Sequence, residues 1–366
     1  MFAICCLFLS APFGWAAEKV KVALVLSKTG TAAIGNIITV KGLRFAVAEL
    51  NQKGGVLGKQ VQLIEFDNHS TALHSKRAAE MAVAEGVTMV FGANWSSHSL
   101  AMAPVLQAAR IPMISTFSTN PDVTLVGDYI FRICFIDSFQ GRIMAGFATD
   151  DLRAKSAAIL ANASSRYSEG LANYFHRHFV AQGGNILMTA DYLKETEDFR
   201  PLLRKMTALN PDVLFIPGNI LDSGLIIKQA RNIGFSNPIL GGDGWGDKMH
   251  RHAGSSLRGT FFSGHWNEHN KNPRSQQFVK GYEARYGKGE KDGAALAHDA
   301  VFLFADAVRR AGSLDRSKIR DALASTKDFQ GVTGKISFNE NGDPIKSGVV
   351  FKFNQGVSTF VKTVMP

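Results

Sequence analysis

Val20-Lys21-Val22-Ala23-Leu24-Val25-Leu26, then residues 37–52, then Val61-Gln62-Leu63-Ile64-Glu65-Phe66-Asp67 form a short β-branched run, a longer stretch with apolar residues at helical spacing, and a second short run. The order repeats. Residues 88–92 and 112–115 read as further strands, with 72–85 and 97–109 as the helices around them. Apolar strands that alternate with amphipathic helices build a parallel sheet covered on both faces.

The pattern restarts after Tyr129-Ile130-Phe131-Arg132. Residues 157–161, 186–192, 213–217 and 239–241 read as strands, separated by helices near 169–182, 199–209 and 223–233. A second doubly wound lobe follows from this. The tail puts helices first (273–286, 294–311 and 317–324) and strands last (334–338, 348–353 and 358–364), with Asn341-Gly342 as a hairpin signal between two of those strands. Such a tail completes both lobes if the chain crosses between them.

At 366 residues and 45% hydrophobic content, the chain exceeds one ordinary core. Residues 1–16 carry an apolar run from Phe2 to Leu9, then Pro12, Gly14 and Ala16, and read as a secretory signal peptide cleaved after Ala16. No Lys or Arg precedes the run, which leaves room for a start codon further upstream. The run is too short for a membrane span. With the signal removed, Cys134 is the only cysteine, so no internal disulfide is expected and the thiol reads as a buried apolar residue. The net charge of +10 arises from Lys and Arg spread singly, as at Arg44, Lys76, Arg110 and Arg204. Without a dense basic tract this favours a cationic surface over nucleic-acid binding.

Several short landmarks occur in order: Thr29-Gly30; Asn51-Gln52-Lys53-Gly54-Gly55-Val56-Leu57-Gly58; Phe66-Asp67-Asn68; Phe91-Gly92 before Ser96-Ser97; Ile111-Pro112-Met113-Ile114-Ser115 leading to Ser118-Thr119-Asn120-Pro121; Phe131-Arg132; Gln140-Gly141; Tyr167-Ser168-Glu169-Gly170; and Leu240-Gly241-Gly242-Asp243-Gly244. Through them the mature chain resembles the branched-chain amino acid type of periplasmic binding protein, related to the leucine/isoleucine/valine receptors. The resemblance implies two Rossmann-like lobes joined by three hinge crossings, closing on a ligand in the cleft. The expected division is 17–137 with 265–333 as the first lobe, and 138–264 with 334–366 as the second.

A free amino acid needs donors for its carboxylate and acceptors for its ammonium. Ser96 and Ser97 lie between a strand end and a helix start, where backbone N–H groups seat a carboxylate or where one serine simply caps the helix. The resemblance places the ligand carboxylate at Ser96. It also implies that the Phe117 carbonyl, and both the backbone and the hydroxyl of Thr119, hold the ligand, with Ser118 beside them. Asp243, flanked by Gly242 and Gly244, is by itself an ordinary turn residue; the resemblance sets it opposite the ammonium. Tyr167 matches a tyrosine that closes over the ligand, and Asn219 stands where amino acid receptors often carry tyrosine. Ile34 replaces a frequent aromatic, and Trp95 and Ser70 stand where several relatives carry a bridging cysteine pair. The main-group recognition is therefore retained while the side-chain pocket differs.

The expected function is capture of an amino acid with an apolar side chain and its delivery to a membrane ABC permease by a periplasmic monomer, with an aromatic acid, an amide or urea as the alternative cargo. No GxSxG elbow, HExxH helix or full phosphate loop is present; Gly331-Val332-Thr333-Gly334-Lys335 is too short for the last. No enzyme activity, cofactor or metal is expected, although His265 and His269 have the i, i+4 spacing of a ligand pair. A sugar-responsive repressor of this fold would need a DNA-binding segment where the signal-like run stands.

Overall fold

Leu24 and Leu26 join one buried cluster and Ala23 and Val25 another, so strand β1 (Val20–Leu26) is covered on both faces. The computed structural model describes residues 19–366, and the signal-peptide reading lies outside them. Beside β1 run β2 (Val61–Asp67), β3 (Met89–Gly92), β4 (Met113–Ser115) and β5 (Ile130–Arg132), all parallel, in the order β2-β1-β3-β4-β5. Helix α1 (Ala33–Gln52) turns Val40, Leu43, Val47 and Leu50 onto one face. Full burial of each such side chain is worth about 2 kcal/mol. Helices α2 (Ala72–Ala84) and α3 (Ser96–Ala108) cover the other face through Ala78, Ala82, Met102 and Leu106.

The chain then crosses to the second lobe, opened by α4 (Asp137–Gly146). There β6 (Ser156–Asn162), α5 (Arg166–Ala181), β7 (Asn185–Tyr192), α6 (Arg200–Ala208), β8 (Val213–Ile216), α7 (Ile220–Asn232), β9 (Ile239–Gly241), a short α8 (His250–Ala253) and β10 (Thr260–Gly264) follow. A second crossing leads back to α9 (Pro273–Tyr286), α10 (Asp292–Ala311) and α11 (Arg316–Ala324). Leu296, Val301 and Phe304 of α10 and Leu323 of α11 complete the first core beside α1.

The tail corrects the expected boundary. Strands β11 (Phe329–Gln330), β12 (Lys335–Phe338) and β13 (Pro344–Ile345) form a small antiparallel sheet, and Ile336 and Phe338 are buried in the first lobe's core. Phe338 lies 5.5 Å from Phe131, ring centre to ring centre. Residues 334–345 therefore stay with the first lobe, because alternation puts two large apolar side chains on the face that meets β5. The Asn341-Gly342 turn does bend the chain back, with Gly342 at φ 75°, but its second arm is only β13. The third crossing comes after it: β14 (Gly348–Asn354) and β15 (Val357–Val364) add antiparallel strands to the second sheet, whose order is β15-β14-β10-β9-β8-β6-β7.

Buried polar groups tie the crossings together. The Arg132 guanidinium, wholly enclosed at the first, is 2.6 Å from Asp343 before the third and donates to the Ser118 carbonyl and to Thr124 Oγ1. Cys134 is buried, and burial pushes its thiol far up, as its apolar reading requires. Among the described residues no helix is long and apolar enough to cross a membrane.

Candidate ligand-binding site

Strand order reverses between β1 and β3 in one lobe and between β6 and β8 in the other, and at such points the loops leaving the strands' carboxyl ends diverge and open a crevice. The two crevices face each other across a cavity of about 490 Å³. Ile34, Ser70, Asn94, Trp95, Ser97 and Phe117 line it from the first lobe; Tyr167, Asn219, Leu225, Asp243 and Trp245 line it from the second.

On the first side, α3 begins at Ser96 with Trp95 as its N-cap, and no side chain caps it. Neither serine hydroxyl is used as a cap: Ser96 Oγ accepts from the Asn120 N–H at 3.2 Å, and Ser97 Oγ from the Arg166 N–H of the other lobe at 3.4 Å. The first-turn amides of Ser96 and Ser97 have no partner among the described residues, and they carry the positive end of the helix dipole. Ser96 and Thr119 are buried behind the cavity wall, while Ser97 and Phe117 stand in it. The Thr119 carbonyl accepts the Asp137 N–H at 2.8 Å. Burial pushes the Asp137 carboxyl well above its ordinary range, against the pull of the adjacent Thr119 hydroxyl, while Asp243 adds to the rise.

Ser118 departs from expectation. Its hydroxyl is shared among the Ala93 and Asn94 carbonyls and Ser99 Oγ, and its carbonyl is taken by Arg132, so its polar groups serve the loop and not the cavity. Asn219 does line the cavity, yet it also opens α7 in a capping box, its N–H donating to Asp222 Oδ1 at 2.8 Å.

On the second side, Tyr167 Oη accepts from the Gly244 N–H at 3.1 Å. This contact explains the glycines around Asp243: a Cβ on Gly242 would lie 2.3 Å from Tyr167 Oη, and one on Gly244 2.5 Å from the Gly218 carbonyl. Asp243 is nearly enclosed, with both oxygens held: Gln140 Nε2 donates to Oδ1 at 2.7 Å, and His265 Nε2 is 2.8 Å from Oδ2. Sequence reasoning missed both partners. In the sequence Gln140 is only a landmark, and His265 shows only its i, i+4 spacing to His269, which stands exposed beside Glu268. Among the described residues no group of three or more His, Cys, Asp and Glu is placed to hold a metal. The Gly331–Lys335 loop is likewise occupied from within, the Asp299 carboxylate accepting the Val332 and Thr333 N–H groups at 2.5 and 2.9 Å.

Three more carboxyl residues line the cavity: Asp222, held in the α7 capping box, and Asp292 and Glu290. Burial raises Asp292 and Glu290, the latter to about 7 with Asp247 adding to the rise. The lobes also touch: Asn120 Nδ2 donates to the Arg166 carbonyl at 2.7 Å, and Lys248 Nζ to the Ile34 carbonyl. A cleft enclosed by two doubly wound lobes, with amide donors on one wall and a fixed carboxylate on the other, defines a two-lobed solute-binding protein.

Comparison with known proteins agrees. The family model described as periplasmic binding protein matches residues 19–357. A leucine-binding protein from Thermotoga maritima is 35% identical with a TM-score of 0.91, over 95% of this chain and 99% of that one. The branched-chain amino acid transporter substrate-binding protein of Streptococcus pneumoniae, solved with isoleucine, is 29% identical with a TM-score of 0.90, over 95% and 100%. The Leu/Ile/Val-binding protein homolog 3 of Brucella melitensis is 26% identical over 342 residues, 92% of each chain. The chain belongs to the periplasmic binding protein family, and its fold and cleft are those of an ABC-transporter substrate-binding protein.

Proposed function

We propose that the protein captures a small amino acid with an apolar side chain, of the branched-chain type, and hands it to a membrane ABC permease. The observation that carries this reading is the opposition of the unpartnered first-turn amides of α3 to the Asp243 carboxylate across the cavity, with Ile34, Phe117, Ile220, Leu225 and Trp245 among its apolar lining. The amides suit the ligand carboxylate, Asp243 suits its ammonium, and the Phe117 carbonyl completes the main-group contacts, with the Thr119 hydroxyl, which has no hydrogen-bond partner among the described residues, behind it. Tyr167 and Asn219 close the other wall. A ligand touching both lobes stabilises the closed form, which the permease recognises. Residues 1–16 act as the signal peptide, and the mature protein works in the periplasm as a monomer without turning its ligand over.

An aromatic acid would set a second anion beside Asp243 with no cation to pair, and a neutral amide or urea would leave the carboxylate without its counter-charge; both disfavour that cargo. A thermal-shift screen of residues 17–366 against the standard amino acids, benzoate, simple amides and urea tests the proposal. Stabilisation confined to amino acids with apolar side chains is expected, since a ligand at a hundred times its Kd adds about 2.7 kcal/mol. Stabilisation by benzoate or amides alone would overturn it.

A further inference from the structure

We infer that His265 is a positioning residue that confers selectivity for a ligand ammonium by orienting Asp243; the inference rests on the proposed role of Asp243. His265 follows β10 at the second crossing, and its side chain is wholly enclosed. The ring lies edge-on to Phe117, centroids 4.9 Å apart, and 3.9 Å from the ring of Phe135, while its backbone N–H donates to Asp292 Oδ2 at 3.2 Å. Ring position is thus set by packing from both sides and by an anchored main chain.

A carboxylate only accepts hydrogen bonds, so the nitrogen 2.8 Å from Asp243 Oδ2 presents its hydrogen there. Nδ1 has no partner among the described residues, so all of the ring's polar capacity in use is spent on Asp243. Gln140 holds the opposite oxygen at 2.7 Å. Two donors on two oxygens fix the carboxylate plane; the Tyr167 hydroxyl also lies against it, and lone-pair capacity remains for the ligand. A carboxylate fixed in advance meets an ammonium without first losing rotamer freedom.

The test compares L-leucine with 2-hydroxy-4-methylpentanoate, which keeps the carboxylate and side chain but replaces the ammonium by a hydroxyl. Affinities are measured by calorimetry for the wild-type protein, His265→Phe, His265→Gln and Gln140→Met. His265→Phe keeps a ring between Phe117 and Phe135 and loses the donor; it should weaken leucine about tenfold while moving the hydroxy acid less than about twofold. His265→Gln restores an N–H near the Nε2 position and should recover most of the leucine affinity. Gln140→Met removes the other donor, leaves the ring in place, and should shift discrimination in the same direction, so the inference stays testable if His265→Phe does not fold. Equal losses for both ligands, an unchanged ratio, or no rescue by Gln would overturn the inference alone. A wild-type protein that bound leucine no better than the hydroxy acid would overturn the role of Asp243 as well.

Discussion

Asp243→Asn changes the charge at the centre of the site and almost nothing else. An ammonium about 3 Å from a carboxylate gains about 5 kcal/mol of Coulomb energy at an effective dielectric near 20. Desolvation takes back much of it, and a hydrogen bond to a charged group nets about 1.5–3 kcal/mol. Gln140 and His265 both donate to Asp243, so the Asn amide must turn its NH₂ toward one of them. That conflict exists with and without ligand, so it lowers stability and largely cancels from the binding free energy. The expected loss of leucine affinity is therefore about 2–3 kcal/mol, or about 30- to 150-fold, by isothermal titration at neutral pH. A folded Asp243→Asn protein within about threefold of wild type would refute the reasoning, because leucine affinity would then not depend on the Asp243 charge.

Further outcomes follow from the same structure. Arg132→Met leaves Asp343 buried without its guanidinium and should lower stability by about 3–5 kcal/mol in urea titrations; a loss below about 1 kcal/mol would show that the pair is dispensable. Gly242→Ala drives a Cβ into Tyr167 Oη and Leu171, so leucine affinity should fall about tenfold along with the melting temperature, and unchanged binding would remove Tyr167 from the cleft wall. The His298 hydrogen bond, aided by Lys53 and opposed by burial, holds Glu49 at about 2. A depressed carboxyl stabilises the fold above its unfolded value and loses that contribution as pH falls toward 2, so Glu49→Gln should flatten the acid limb of the stability profile below about pH 5. An identical acid limb in the variant would contradict this.

The doubly wound architecture was legible because its strands are short apolar runs between amphipathic stretches; β1, β2 and β9 carry the expected bounds. Several elements were not, among them α4 and β10. Helix α4 contains Gly141 and Gly146, which weaken helical propensity, but a Cβ at Gly141 would lie 2.6 Å from Tyr174 Cβ, so that glycine serves close packing against α5. Strand β10 follows a run of short helical turns and ends in Ser263-Gly264 before a polar loop, so it lacks the flanking amphipathic helices that mark the other strands. Missing it hid His265, whose one signal was its place at a strand's carboxyl end. Ser96, Tyr167 and Asp243 were recognisable only through order and resemblance, since a serine at a helix start and an aspartate between glycines have ordinary local explanations. The direction of the Ser118 hydroxyl, toward Ala93, Asn94 and Ser99, was not legible, because adjacency to Thr119 says nothing about which way a loop side chain turns.

The most direct test of the account is a crystal structure of the mature protein with L-leucine. The ammonium should lie within hydrogen-bonding distance of Asp243, with the carboxylate at the amides of Ser96 and Ser97 and the side chain among Ile34, Ile220 and Trp245. A ligand bound in the reverse sense, or one seated in the cleft without touching Asp243, would contradict it.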